Sequence, residues 1–126
     1  MFENARGAAV VAASDLGRAR SFYETVLGLE VEETQEDAGV VFYRLAGVPL
    51  MVYRTDYAGT AKNTVFAIET DDLAEAMSAL REKGVVFIDY DFPGLKTVDG
   101  VADLGGEKSA WFADSEGNIL ALGQRS

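Results

Sequence analysis

The sequence predicts an α+β fold made of two tandem βαβββ modules, and three observations carry that expectation. A strand–helix–strand pattern occurs twice in the same order, in AAVVAASDLGRARSFYETVLGLEVEE and in NTVFAIETDDLAEAMSALREKGVVFIDY. Each copy is followed by two apolar strands around a glycine turn, VVFYRLAGVPLMVYR in the first and SAWFADSEGNILALG in the second. The copies align at the glycines that end the helices, Gly28 and Gly84, and at those of the turns, Gly47 and Gly117. Module one is expected at about residues 5–55 and module two at about 62–124, within one domain spanning 1–126. A chain of this size buries roughly two-thirds of its unfolded surface, enough for one core without staples.

Each element has its local reason. The apolar run Ala8–Ala13 is the first strand. Asp15 can cap a helix in which Leu16, Ala19, Phe22, Tyr23, Val26 and Leu27 recur at helical spacing, and Gly28 stops it. LEVEE then resumes strand alternation, and Gly47 turns the following pair. In the second copy Asp71 or Asp72 caps, Leu73, Ala76, Met77 and Leu80 form the apolar stripe, and Arg81 and Lys83 suit the C-terminal end of the helix dipole. In the last hairpin DSEG is the turn, and Leu120 and Leu122 are the core face. Gly28 to Gly47 is 19 residues but Gly84 to Gly117 is 33, so the second copy carries 14 more. Most of them lie in DFPGLKTVDGVADLGGEK, a loop long enough to be an ordered surface loop or a binding loop. Its GVADLGGEKS is not a phosphate loop, because Glu107 separates Gly106 from Lys108 and a strand follows instead of a helix.

Composition narrows the chemistry. The 126 residues include no Cys, which removes disulfides, thiolate nucleophiles and Cys-based metal sites. They include no His, which removes Ser-His-Asp catalysis and the commonest metal ligand. Any metal site would need oxygen ligands, and any proton transfer would use Asp, Glu, Lys, Tyr or water. The net charge of −10, dense at Glu30, Glu32, Glu33, Glu36 and Asp37, argues against nucleic acid. It reads either as a solvating surface or as a field that attracts a cationic ligand. No stretch approaches a membrane span of roughly 20 apolar residues. Ala8–Ala13 follows Glu3 and Arg6 without a signal-peptide layout, so a cytoplasmic location is expected.

SDLGRARSFYETVLGLEV and WFADSEGNILAL, in order within a duplicated βαβββ pattern, resemble the vicinal-oxygen-chelate superfamily of glyoxalases, bleomycin-resistance proteins and dioxygenases. The first matches the D-L-x-x-A-x-x-F-Y-x-x-x-L-G helix of that group and the second its F-x-D-x-x-G-N hairpin, and the likeness covers essentially the whole chain. It implies a cup-shaped, eight-stranded mixed sheet with helices outside and the ligand site in the concavity. Metal-dependent members hold their ion at four points on the first and last strands of the modules. On this sequence those points are Ala8, Met51, Asn63 (or Thr64 or Val65, within a one-residue ambiguity) and Ala121. Ala has no donor atom, Met sulfur is soft and an Asn carbonyl alone is weak, so no metal and no other cofactor is expected.

Strand parity supplies the remaining candidates for the cup: Val10 beside Ala8, Val41 and Tyr43 on the next strand, Tyr53 beside Met51, Val65 beside Asn63, and Ser109 and Trp111 facing Ala121. Small floors, aromatic walls and few polar tips suit an apolar or planar organic ligand. The resemblance therefore implies a metal-free binding protein of the drug-sequestering kind, a homodimer whose partner is a small organic ligand. The alternatives are a metal-independent isomerase or lyase using carboxylates or Tyr43 and Tyr53, a module with a vestigial cup, and a metal-dependent glyoxalase-like enzyme, which the four positions disfavour.

Overall fold

The structure, a computed structural model, describes residues 1–125. Module one contains β1 (Ala9–Ala13), α1 (Leu16–Ser21) running into a π-helical turn (Phe22–Val26), β2 (Glu33–Gln35), β3 (Val40–Leu45) and β4 (Val48–Arg54). Module two contains β5 (Thr64–Glu69), α2 (Leu73–Glu82), the short pair β6 (Asp91–Phe92) and β7 (Leu95–Lys96), β8 (Ala102–Asp103), β9 (Glu107–Ala113) and β10 (Ile119–Arg125). The sheets have the same order, β1-β4-β3-β2 and β5-β10-β9-β8, with the first strand of each parallel to the last. That shared order is the duplication seen in the sequence. Each module keeps its own four-stranded ladder, and β6 with β7 forms a separate two-stranded one.

Both helices start where the sequence places them. The carboxylates of Asp15 and Asp72 accept from the backbone N–H of Arg18 and Glu75, each at 3.0 Å. The first helix widens to π geometry at Phe22, with Leu27 N–H bonding to Phe22 carbonyl at 3.1 Å. LEVEE enters the ladder late: β2 begins only at Glu33, preceded by a bond from Glu32 N–H to Phe42 carbonyl. In module two the expected strand VVFIDY contributes one bridge, Phe87 to Phe112, and a bond from Ile88 N–H to Trp111 carbonyl. The other half of that sheet edge is supplied by β8, from within the long loop. The loop is thus part of the sheet.

One hydrophobic core runs through both modules, between each sheet and its helix. Val11, Leu50, Val52 and Tyr43 from module one and Phe66, Phe112, Leu120 and Leu122 from module two are buried in it. The modules are clasped by the β9–β10 turn. Its Glu116 carboxylate accepts from the N–H groups of Ser14 and Asp15 at 2.9 and 3.0 Å and from Arg18 Nε at 2.7 Å. Asn118 donates to Ala12 carbonyl at 2.8 Å, and Tyr23 hydroxyl donates to Asp114 at 2.5 Å.

Candidate functional site

Strand register decides which side chains lie on the open face of each sheet, the one turned away from its helix. In module one Val10 lies opposite Met51 and Ala12 opposite Tyr53, while Phe42 and Val40 face the same two residues from β3. Residues directly opposite share a face. The open face is therefore Val10, Ala12, Val40, Phe42, Met51 and Tyr53, with Ala8 just before β1. Val10 is 50% exposed, and the other five are half-buried.

Val41 and Tyr43, expected here, lie on the other face. They pair with Val52 and Leu50 and are buried against the helix. The reason is turn length. The two-residue turn Ala46–Gly47, with φ of 52° and 81°, pairs Leu45 with Val48 and so sets odd residues of β3 against even residues of β4. Phe42 and Val40 take the places assigned to them. Tyr43 instead donates its hydroxyl to Glu24 at 2.7 Å, and burial with that neighbouring carboxylate pushes the phenol pKa up. It presents no acid or base to the open face.

In module two the five-residue turn Asp114–Asn118 pairs odd with odd, so Trp111, Ala121 and Ala67 form one row and Ser109 with Gly123 the next. Ile119 pairs with Ala113 on the same face. Ser109 is buried, while Trp111, Ile119 and Ala121 are half-buried. Tyr90, just before the long loop, and Phe92 within it add a wall. Tyr90 meets Trp111 edge to face, with ring centroids 5.5 Å apart at 89°, and Phe92 meets Tyr90 at 5.9 Å and 77°. Thr97 fixes that wall: its hydroxyl accepts from Tyr90 N–H and donates to Asp89, each at 2.8 Å. Asp89 also accepts from Gly100 N–H at 3.0 Å. At the other end of the face a concavity of about 240 Å³ opens beside Ala67, Ser109, Ala121 and Gly123, bordered by Glu69, Glu107 and Arg125.

Register also resolves the four points at which a relative would hold a metal. Ala9 pairs with Leu50 and Phe66 with Leu120, so Val65 is the counterpart of Ala8. Asn63 lies one residue before β5, exposed, with its amide donating to Thr64 carbonyl. A bulge between Ile119 and Leu120 leaves Val65 unpaired and shifts the count at this strand end. The four residues are therefore Ala8, Met51, Val65 and Ala121, whose only heteroatom is a thioether sulfur. That donor set does not fit a divalent ion. Among the described residues no three Asp or Glu side chains cluster in a way that could replace it.

A duplicated module with this strand order, an open face on each sheet and a clasp built from the F-x-D-x-x-G-N hairpin defines a cup-type α+β protein. The Glyoxalase/Bleomycin resistance protein/Dioxygenase superfamily model matches residues 7–122, and the chain belongs to that family. The fold is similar to that of a glyoxalase/bleomycin resistance protein/dioxygenase from Alicyclobacillus acidocaldarius (TM-score 0.69, 18% identity, 97% of this chain and 92% of that one). It is similar also to a genomically encoded fosfomycin resistance protein from Listeria monocytogenes (0.71, 14%, 95% and 92%) and a lactoylglutathione lyase from Agrobacterium tumefaciens (0.67, 19%, 98% and 96%). At these identities the likeness is one of fold. No curated protein sequence matches the chain.

Proposed function

We propose that this chain is a small-molecule-binding protein whose ligand lies on the open sheet faces and is held without a metal ion, in the manner of a sequestering protein for an aromatic or cationic organic molecule. The observation that carries this reading is the replacement of the four chelating points by Ala8, Met51, Val65 and Ala121 beside a rigid aromatic wall of Trp111, Tyr90 and Phe92. Small side chains make room, aromatic rings supply contact area at low entropy cost, and Ser109 adds a polar tip. The enzymatic alternative loses Tyr43, which is buried on the far side of its sheet.

The reading includes a homodimer. A chain of 13.5 kDa folded as a closed monomer exposes about 6,500 Å². This one exposes 7822 Å², and the half-exposed apolar row Val10, Phe42, Met51 and Tyr53 is part of that surface. A second copy laid over it would close the cup.

The test is a fluorescence titration, because Trp111 is the sole tryptophan and stands in the wall. Aromatic amines, planar antibiotics and aromatic metabolites are titrated against the wild type and Ala121→Leu, which fills the floor and leaves Trp111 the sole tryptophan. Quenching in the wild type that is lost in the folded variant supports the reading. Equal quenching in both overturns the placement. Metal analysis after equilibration with Zn, Ni or Mn is expected to give no stoichiometric ion, and one tightly held ion per chain would overturn the metal-free part.

A further inference from the structure

The concavity beside Ala121 has a character that the aromatic wall does not. Glu107 and Ser109 stand on β9 on the same face as Trp111, and Glu69 and Arg125 border them from β5 and β10. The one cation present is committed, since Arg125 Nε lies 3.1 Å from Glu69. Glu107, half-buried and directly opposite Arg125 on β10, forms no salt bridge among the described residues, which leaves one carboxylate more than cations around the concavity. Its carboxylate is nonetheless held in place. The buried Ser109 hydroxyl donates to Glu107 Oε1 at 3.3 Å, and the carboxylate lies over Gly123, where an added Cβ would come 2.5 Å from Oε1. A bare residue at Gly123 is what lets the acid lie flat on the sheet, facing the cavity. A carboxylate positioned in a concavity and not itself in a salt bridge is a recognition element for a cation.

We propose that Glu107, positioned by Ser109 and Gly123, is a cation subsite of the cup, so that the ligand carries an ammonium, amidinium or guanidinium group as well as a ring for Trp111. This rests on the cup reading above and sharpens its ligand from aromatic or cationic to both at once. The Glu107 carboxylate lies over Gly123, which pairs with Ser109 in the row next to that of Trp111 and Ala121, so the two groups stand about 7 Å apart along the strand.

The probes are 4-nitrophenoxyalkyl ammonium ions of graded spacer length, each paired with its neutral N-acetyl counterpart and read by quenching of Trp111. Wild-type protein is expected to prefer the ammonium form by about five- to tenfold at low salt, with an optimum at spacers that span about 7 Å. Glu107→Gln removes that preference and leaves the neutral probes unchanged. Gly123→Ala retains the charge but displaces the carboxylate, and has the same effect. Glu30→Gln, an equal loss of charge on module one, leaves the preference intact. Equal binding of the two forms by the wild type, or a preference that survives Glu107→Gln, overturns the cation subsite while the cup reading stands. A preference lost equally in Glu30→Gln also overturns it, in favour of the general field of the protein. If no probe of either charge quenches Trp111, the cup reading itself falls and takes the subsite with it.

Discussion

Glu116 shows what a single side chain does in this molecule. Its carboxylate is fully buried yet satisfied by two backbone N–H groups, by Ser14 and Ser115 hydroxyls and by Arg18. Burial alone would raise its pKa, but the hydrogen bonds and charge of Arg18, with Asp15 N–H and Ser115, outweigh burial and hold it near 2. Because that lies below the value of an unfolded glutamate, the stability it contributes is complete above about pH 5 and is withdrawn as pH falls toward 2. Glu116→Gln is expected to cost about 3 kcal/mol in urea unfolding at pH 7 and to flatten the acid limb of the stability curve. An unchanged acid limb would show that another carboxylate governs it. Tyr23→Phe removes the donor that faces Asp114 and is expected to cost about 1–3 kcal/mol by the same assay.

At the scale of elements, the π-helical turn and the long loop are the departures that matter. The extra residue per turn at Phe22–Val26 accompanies the inward placement of Tyr23, stacked on Tyr43 at 5.9 Å and within reach of Asp114. A regular helix would shift the residues after Phe22 around the axis and misplace that contact. In the long loop, Thr97→Val leaves Tyr90 N–H and Asp89 without their shared hydroxyl. It is expected to increase protease cleavage within residues 91–99 and to shift Trp111 emission, with little change in global stability. The turn that clasps the modules has its own constraint. Gly117 has φ +87° and a Cβ there would stand 3.0 Å from Gly59 Cα, so Gly117→Ala is expected to cost about 2 kcal/mol or more in thermal unfolding.

The whole molecule is two open sheets joined by one buried polar clasp. The clasp is one-sided: the β9–β10 turn of module two grips α1, whereas the equivalent β3–β4 turn of module one, at Ala46–Gly47, is exposed and carries no carboxylate. Closure is thus left to a second copy in the proposed assembly. Val10→Arg, at the β1 end of the exposed row of module one, is expected to yield a folded monomer in analytical ultracentrifugation where the wild type is expected to sediment as a dimer. A wild-type monomer at all concentrations would remove the dimer from the reading. No helix among the described residues is long and apolar enough to cross a membrane.

The sequence by itself determined the duplication, both helix caps, the glycine stops and the core role of Leu120 and Leu122, because these depend on local periodicity and on backbone conformations favoured by few residue types. It also showed that Ala8, Met51 and Ala121 lack the donors of a metal site, since donor chemistry is a property of the residue alone. Tertiary structure decided the rest. A two-residue turn moved Val41 and Tyr43 to the core and brought Phe42 outward, because strand facing flips with each residue of register, and the β5–β10 register selected Val65 among the Asn63, Thr64 and Val65 that the sequence left open. The pairing of Tyr90 with Trp111 and the setting of Glu107 over Gly123 join residues 21 and 16 positions apart. No local pattern encodes such contacts; they exist only once the sheet and its loop have packed.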